Sequence, residues 1–414
     1  MDDADRAAEG TRGDAAGAGG GSGGAAGGSG GAAGGSGGSG GAGRGSGGSG
    51  GAGRGSGGAV GGAADAARGG ERRAYIGSFT SGGGRGITTA AVDPATGALT
   101  PLTATSALPD PSYLALDHAA GVLYAVSETE EGAVGAFRAT RDGLAALGSA
   151  VRVGGSGPTH LSLAGRRLFT ANYTSGSVSV LPLAADGSVG GPASVLGHRG
   201  SGLDADRQAG PHAHQVLPAP GGRWVLSVDL GTDSVRICAP DPEGGPLRVH
   251  AETALRAGTG PRHLAFHPGG RVVYVLHELE PQLTVCRWDP ADGQLEPVSE
   301  VPVAPAGAQG AARAYPSAVV ASPDGRFVWA AVRGADVILT LSLADGAEKP
   351  QLTGTVPCGG RWPRDLAADP SGRRLYAANE HSGDVTWFEV DPLTGRPRRA
   401  GSVAVPAATC VVFG

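Results

Sequence analysis

From Pro111 onward the chain repeats itself. "PSYLALDHAAGVLYAVSETEEGAVGAF" is followed by "PTHLSLAGRRLFTANYTSGSVSVL", "PHAHQVLPAPGGRWVLSVDLGTDSVRI", "PRHLAFHPGGRVVYVLHELEPQLTVCRW", "PSAVVASPDGRFVWAAVRGADVILTL" and "PRDLAADPSGRRLYAANEHSGDVTWFEV". The leading prolines, Pro111, Pro158, Pro211, Pro261, Pro316 and Pro363, stand 47 to 55 residues apart, the period of a propeller blade or a similar array. Each unit has a short alternating run, a turn such as "HPGG" or "SPDG", a second apolar run ending in an aromatic residue or Leu, and a polar break. A third run, a turn of the "DPADGQL" kind and a weaker fourth run complete it. Four short strands with Gly, Asp and Pro turns and no helical periodicity make one antiparallel blade.

The two ends of the repeat region supply one further unit. "RRAYIGSFTSGGGRGITTAAVDPATGALTPL", from Arg72, has the second, third and fourth strands without the first, whereas the C-terminal "PAATCVVFG" reads as a first strand with nothing after it. Joined, they give an all-β, seven-bladed propeller of four-stranded antiparallel blades, closed by pairing of N- and C-terminal strands. Such closure removes the exposed edges of an open array.

Ahead of the repeats, residues 1–71 are dominated by Gly, Ala and Ser, and between Gly10 and Gly70 the only large apolar side chain is Val60. A segment that buries so little surface cannot offset its backbone entropy, which predicts a disordered Gly-rich tail over 1–71 and a propeller over 72–414. GxGxxG-like spacings in the tail neither follow a strand nor open a helix, so they carry no dinucleotide-binding signal. No signal peptide or bilayer-spanning stretch is apparent, and a cytoplasmic location is expected.

Net charge −5 with 17% charged residues gives no basic patch for nucleic acid. Cys238, Cys286, Cys358 and Cys410 are far apart with no CxxC, which predicts reduced buried thiols. Lys349 is the sole lysine and sits beside a proline, so Schiff-base chemistry is out of contention.

In a propeller the lead-in to the first strand and the turn between the second and third strands open on one end of the ring. Aligned on the prolines, the lead-in position holds Ser112, Thr159, His212, Arg262, Ser317 and Arg364, with Ala407 in the C-terminal piece. The turn position holds Phe79, Glu128, Tyr173, Leu230, Glu278, Arg333 and Glu380. His214 shares the side of His212 by the period of two. Asp229 precedes Leu230, where it is placed to orient an imidazole. The readings without function are plain for others: His160 and His263 fit a recurring Pro-x-His-Leu pattern and are expected to hydrogen-bond a neighbouring blade. His118 and His267 belong to turns on the far end, expected to be solvated, and Asp93, Asp289 and Asp391 open turns and bond their own backbone.

At these residues the chain resembles a family. "GPHAHQVLPAPGGRWVLSVDLGTDSV", "GPRHLAFHPGGRVVYVLHELE", "AVVASPDGRFVWAAVRG" and "WPRDLAADPSGRRLYAANEHSGDV" are similar to the seven-bladed β-propeller lactonases, which include 6-phosphogluconolactonases and carboxymuconate-lactonising enzymes. The resemblance runs from about Arg72 to the C-terminus and omits the tail. It implies a pocket with a His, an Arg, a Glu and a second Arg, which fall on His214 (with His212 its rival), Arg262, Glu278 and Arg333. It also implies hydrolysis of 6-phospho-D-glucono-1,5-lactone to 6-phosphogluconate, a step of the pentose phosphate pathway.

Lactone hydrolysis needs a base for water and positive charge for the oxyanion and any substrate phosphate. His214, or Glu278 if the imidazole only donates, is the expected base, and Arg262 and Arg333 the expected anion holders. His212, Asp229, Arg364 and Glu380 are the expected substrate-binding residues. No cofactor or metal enters this scheme: a site on His212 and His214 lacks a third ligand at convincing spacing. No GxSxG elbow supports serine catalysis. The partner expected is a small-molecule lactone, not nucleic acid or a membrane, on a monomer or weak homo-oligomer. Two rival readings stand beside it: a lactonising cycloisomerase acting on carboxylated dienes, and a non-enzymatic propeller that binds a ligand or protein.

Overall fold

The computed structural model describes residues 72–242, 244–304 and 314–414. The expected tail over 1–71 lies outside the described residues. The described residues form seven antiparallel sheets within one compact unit.

Blade 1 pairs the C-terminal strand Ala408–Phe413 with Arg73–Ser78, then Ile87–Val92 and Leu99–Thr105 outward. Blades 2 to 7 begin with the inner strands Leu114–Asp117, Pro158–Ala164, Ala213–Pro218, Pro261–Phe266, Tyr315–Ala321 and Pro363–Ala368. Each is followed outward by its second, third and fourth strands in chain order. Blade 2 alone carries an extra strand, Val151–Arg152, on Ala133–Thr140. Neighbouring inner strands lie against one another around a complete circuit, from blade 2 through blade 7 to Ala408–Phe413 and back to Leu114–Asp117. The ring is closed as the split repeat requires.

The radial arrangement explains why the second strands read as unbroken apolar runs. A blade has a neighbour on each face, so alternate residues of one strand enter two different cores. In blade 5, Val272, Tyr274 and Leu276 pack against blade 6 with Val328, Ala330 and Val332. Val273 and Val275, between them, pack against blade 4 with Leu226 and Val228. Seven such clusters fill the seven interfaces, that between blades 7 and 1 combining Tyr376 and Val385 with Ala74, Ile76 and Val411. All four cysteines are buried and free.

The aromatic residue in the second strand does more than fill space. Its polar tip crosses the interface to a carbonyl in the next blade's outer turn: Tyr124 Oη to Gly187 at 2.8 Å, Tyr274 Oη to Ala347 at 2.8 Å and Tyr376 Oη to Gly97 at 2.9 Å. Trp224 and Trp329 donate their indole N–H to Pro290 and Gly395 in the same way. The turn must come close: at Gly97, with φ +73°, a Cβ would stand 2.7 Å from Tyr376 Oη. Tyr376→Phe is expected to cost about 1 kcal/mol in urea unfolding, the net worth of one such bond. An unchanged midpoint would show that the tether contributes nothing.

The expected turn roles of Asp93 and Asp391 hold, their Oδ1 atoms accepting backbone N–H groups two and three residues on, and Asp289 does the same. His118 is exposed. His267 departs from expectation. It is half-buried, accepts from Gly269 N and lies 3.2 Å from the Gly325 carbonyl, because the "HPGG" turn packs on the "SPDG" turn of the next blade. His160 also differs. It meets the neighbouring blade through its ring, 4.2 Å from that of Tyr113, and its Nδ1 is buried without a hydrogen-bond partner.

Candidate active site

One device recurs in the blades and builds the funnel. The residue after the second strand donates its backbone N–H to the carbonyl of the residue two places ahead of an inner-strand bulge. Glu278 donates to Gly260 at 2.7 Å, Tyr173 to Gly157 at 2.8 Å, Leu230 to His212 at 2.9 Å and Glu380 to Trp362 at 3.0 Å. The inner strand then skips one residue in its ladder. Pairing passes from Pro261↔His277 to His263↔Leu276, leaving Arg262 out, and from Pro363↔Asn379 to Asp365↔Ala378, leaving Arg364 out. A bulge of this kind re-aims one side chain, and here Arg262 and Arg364 turn into a small axial cavity that Ser112, Thr159, Asp365 and Thr409 also line.

The same register shows which histidine of blade 4 takes the bulge. Ala213 pairs with Asp229 and Gln215 with Val228, so His214 is the residue left out. The proline of "PHAH" stands two residues further from the bulge than Pro158, Pro261 and Pro363 do. Aligning blades on proline therefore set His212 beside Arg262, whereas strand pairing gives that position to His214.

The lead-in carries backbone strain. Gly157 and Gly260 have φ near +60°, as do the side-chain-bearing Asp110, Trp362 and Ala407 at +43°, +63° and +50°, a region that costs roughly 1–2 kcal/mol for a residue with a Cβ. Trp362 is held there by its N–H on Asp336 Oδ1 at 2.7 Å. Such strain, clustered at one end of the ring, marks a constrained site.

Glu278 is the centre of that end. Its Oε2 lies 2.9 Å from Arg262 Nε and 2.7 Å from Arg333 Nη2, and its Oε1 lies 2.7 Å from Arg207 Nη2. Arg262, Arg333 and Glu278 are each 2% exposed or less. Burial pushes the Glu278 carboxyl up, but Arg333, Arg207 and Arg262 outweigh it and hold it well below the usual carboxylate range. A carboxylate so firmly ionised is a poor proton acceptor at neutral pH.

His214 offers a neutral acceptor instead. Burial, then the charge of Arg262, keeps it neutral, well below the ordinary histidine pKa, and its buried Nδ1 has no hydrogen-bond partner. Its ring meets Tyr173 and His263 edge-on at 5.5 and 5.2 Å. His212 stacks flat on Tyr173 at 4.4 Å with Nδ1 3.0 Å from the Tyr173 carbonyl.

Arg364 and Glu380 form a second cluster across the funnel: Arg364 reaches Glu380 at 3.2 Å and Glu128 at 3.3 Å, and lies over the Phe79 ring. Asp229 does orient an imidazole, but that of His198, at 2.6 Å. Its Oδ1 accepts from the N–H groups of His212, Gly231 and Thr232, and Arg236 adds a 3.1 Å contact to Oδ2. Asp229 thus fixes the backbone that presents His212 and His214.

Two residues of this site escaped the repeat logic. Arg207 lies in the connection between blades 3 and 4, where no repeat position marks it, and only the neighbouring polar run "DADRQ" hints at it. Asp365 follows a bulge residue, as His160 and His263 do. Burial raises its pKa to about 6, against the backbone N–H groups of Leu366 and Val411 and the charges of Arg262 and Arg364. Tyr113 and Cys410 also face it. An unfolded Asp titrates near ~3.9, so the fold holds an extra proton between those values and stability falls as pH rises from about 4 to 6. Asp365→Asn, unable to ionise, is expected to raise Tm more at pH 7.5 than at pH 4.5. Equal shifts at both would show that its ionisation costs the fold nothing.

Among the described residues no group of His, Cys, Asp and Glu is arranged to hold a metal ion, and no helix is long and apolar enough to cross a membrane.

Residues 73–413 match the family described as "Lactonase, 7-bladed beta-propeller". The chain is 32% identical over 348 residues to a 6-phosphogluconolactonase of Bacillus subtilis, covering 82% of this chain and 97% of that one. It is 34% identical over 242 residues to a 6-phosphogluconolactonase of Pectobacterium carotovorum, covering 58% and 68%. Among solved structures, a periplasmic gluconolactonase of Pseudomonas aeruginosa superposes with a TM-score of 0.77 at 30% identity, covering 83% of this chain and 98% of that one.

Proposed function

This chain belongs to the seven-bladed β-propeller lactonase family, and from that premise we propose that it hydrolyses a sugar lactone, 6-phospho-D-glucono-1,5-lactone, to 6-phosphogluconate. The observation that carries this reading is the buried Glu278 carboxylate set among Arg207, Arg262 and Arg333, with a neutral histidine, His214, beside it. The names of two relatives supply the phosphorylated substrate.

In this reading water attacks the lactone carbonyl and His214 takes its proton. A bound anion raises the histidine's affinity for that proton. Arg262 and Arg333 donate N–H groups to the oxyanion as it forms. When the tetrahedral intermediate collapses, the ring C–O bond breaks and the imidazolium returns its proton to the leaving alkoxide, which gives the open hydroxy acid. Glu278 stays ionised throughout and holds the guanidinium groups in place. The four free buried cysteines suit a reducing compartment such as the cytoplasm.

The test is the initial rate of 6-phosphogluconolactone hydrolysis, followed by base uptake at constant pH, with the spontaneous rate subtracted. Acceleration by the folded protein supports the reading. Its absence overturns the phosphorylated substrate and moves the search to other lactones.

A further inference from the structure

Of the three arginines on Glu278, Arg207 is the odd one. Arg262 and Arg333 are fixed by strands at the floor of the site, whereas the Arg207 side chain comes from a connection between blades and is 14% exposed. Among the described residues only its Nη2 is bonded, to Glu278 Oε1 at 2.7 Å and Tyr173 Oη at 3.3 Å. Among the described residues its Nη1 and Nε make no hydrogen bond.

The position is built. Gln208, fully buried, accepts from the N–H groups of Leu203 and Asp204 through Oε1 and donates Nε2 to the Leu230 carbonyl at 2.8 Å. Its own backbone carbonyl takes the Gly202 N–H at 2.9 Å and its N–H goes to the Asp204 carbonyl at 2.7 Å. Asp204 Oδ1 caps Asp206 N and Arg207 N at 3.0 Å. At its start the connection is pinned by His198 on Asp229. A loop bonded at this many points presents Arg207 in one orientation, so little side-chain entropy is lost when it meets a ligand.

We propose that Arg207 selects the phosphorylated lactone over the unphosphorylated one, its Nη1 receiving the phosphate at the mouth of the funnel while Nη2 stays on Glu278. Guanidinium N–H groups are strong, permanently charged donors to phosphate oxygens, and a guanidinium already fixed by a carboxylate presents its remaining donors in one place. The proposal rests on the lactonase reading for its substrate but not for its chemistry of recognition.

The experiment compares wild type, Arg207→Gln and Arg207→Lys on 6-phosphogluconolactone and on glucono-1,5-lactone. Calorimetric binding of 6-phosphogluconate and of gluconate is measured in parallel. Arg207→Gln is expected to lose about 10- to 100-fold in kcat/KM on the phosphorylated lactone, mainly through KM, and a clearly smaller factor on the other, so that the preference between the two falls. Arg207→Lys should fall between. Equal losses on both lactones would overturn the proposal and leave Arg207 as a support for Glu278, and no loss on either would overturn it too. If wild type hydrolyses neither lactone, the lactonase reading fails, and binding alone decides. Tighter binding of 6-phosphogluconate than gluconate, with the difference lost in Arg207→Gln, upholds the proposal, whereas equal affinities overturn it.

Discussion

Arg262→Ala and His214→Ala are each expected to lower turnover of the lactone by about a hundredfold or more, the usual loss on removing an oxyanion donor or a general base. The two losses should differ in kind. Arg262 touches Glu278 and the Ser317 carbonyl, so its removal loosens the anion holders and should raise KM as well as lower kcat. His214 makes no hydrogen bond through Nδ1, so its removal should fall on kcat with the ground state little changed. Steady-state kinetics on both variants, with unaltered circular dichroism as the fold control, check this. Near-wild-type rates in the two variants would remove the mechanism.

Glu278→Gln has the second large effect, and on stability. The carboxylate is the shared partner of guanidinium groups at 2.7–2.9 Å, two of them 2% exposed or less. An amide of the same shape returns one oxygen and no charge, so buried arginines are left facing one another. Breaking a buried pair from one side costs about 3–5 kcal/mol, which urea unfolding should register as a lower midpoint at constant slope. Because the folded carboxyl titrates below its unfolded value, wild type keeps this contribution above about pH 4 and loses it as pH falls further. The difference between wild type and Glu278→Gln should therefore narrow on acidification. A loss under about 1 kcal/mol at neutral pH would mean the arginines relax away from one another freely.

The propeller was legible because its signal is repeated. Proline, alternating run, turn and buried run recur often enough that an error in one unit is corrected by the others, and the split unit at the termini announces closure. Where the site follows the repeat, as at Arg262, Glu278, Arg333, Arg364 and Glu380, strand pairing brings the expected residues to one end. It failed where the chain leaves the repeat. Pro211 lies off register, so His212 and His214 exchanged places in the alignment, and the bulge that separates them is a matter of ladder geometry that residue types do not encode. Arg207 sits in a connection of no periodicity, reached only through the folded positions of Tyr173 and Glu278. Asp229 was rightly paired with an imidazole, but the imidazole is His198, whose distance along the chain hides the contact.

Ring closure places a demand on synthesis. The inner strand of blade 1 is Ala408–Phe413, paired with Ala74–Ser78, so the earliest propeller strands to leave the ribosome wait for the last. Until Phe413 has cleared the exit tunnel, Arg73–Ser78 carries an open edge and the facing sides of blades 7 and 2 lack part of their cover, while blades 3 to 6 have every partner they need. From the emergence of Arg73–Ser78 until Ala408–Phe413 follows, the nascent propeller carries one sticky edge, and chaperone capture should centre on blade 1.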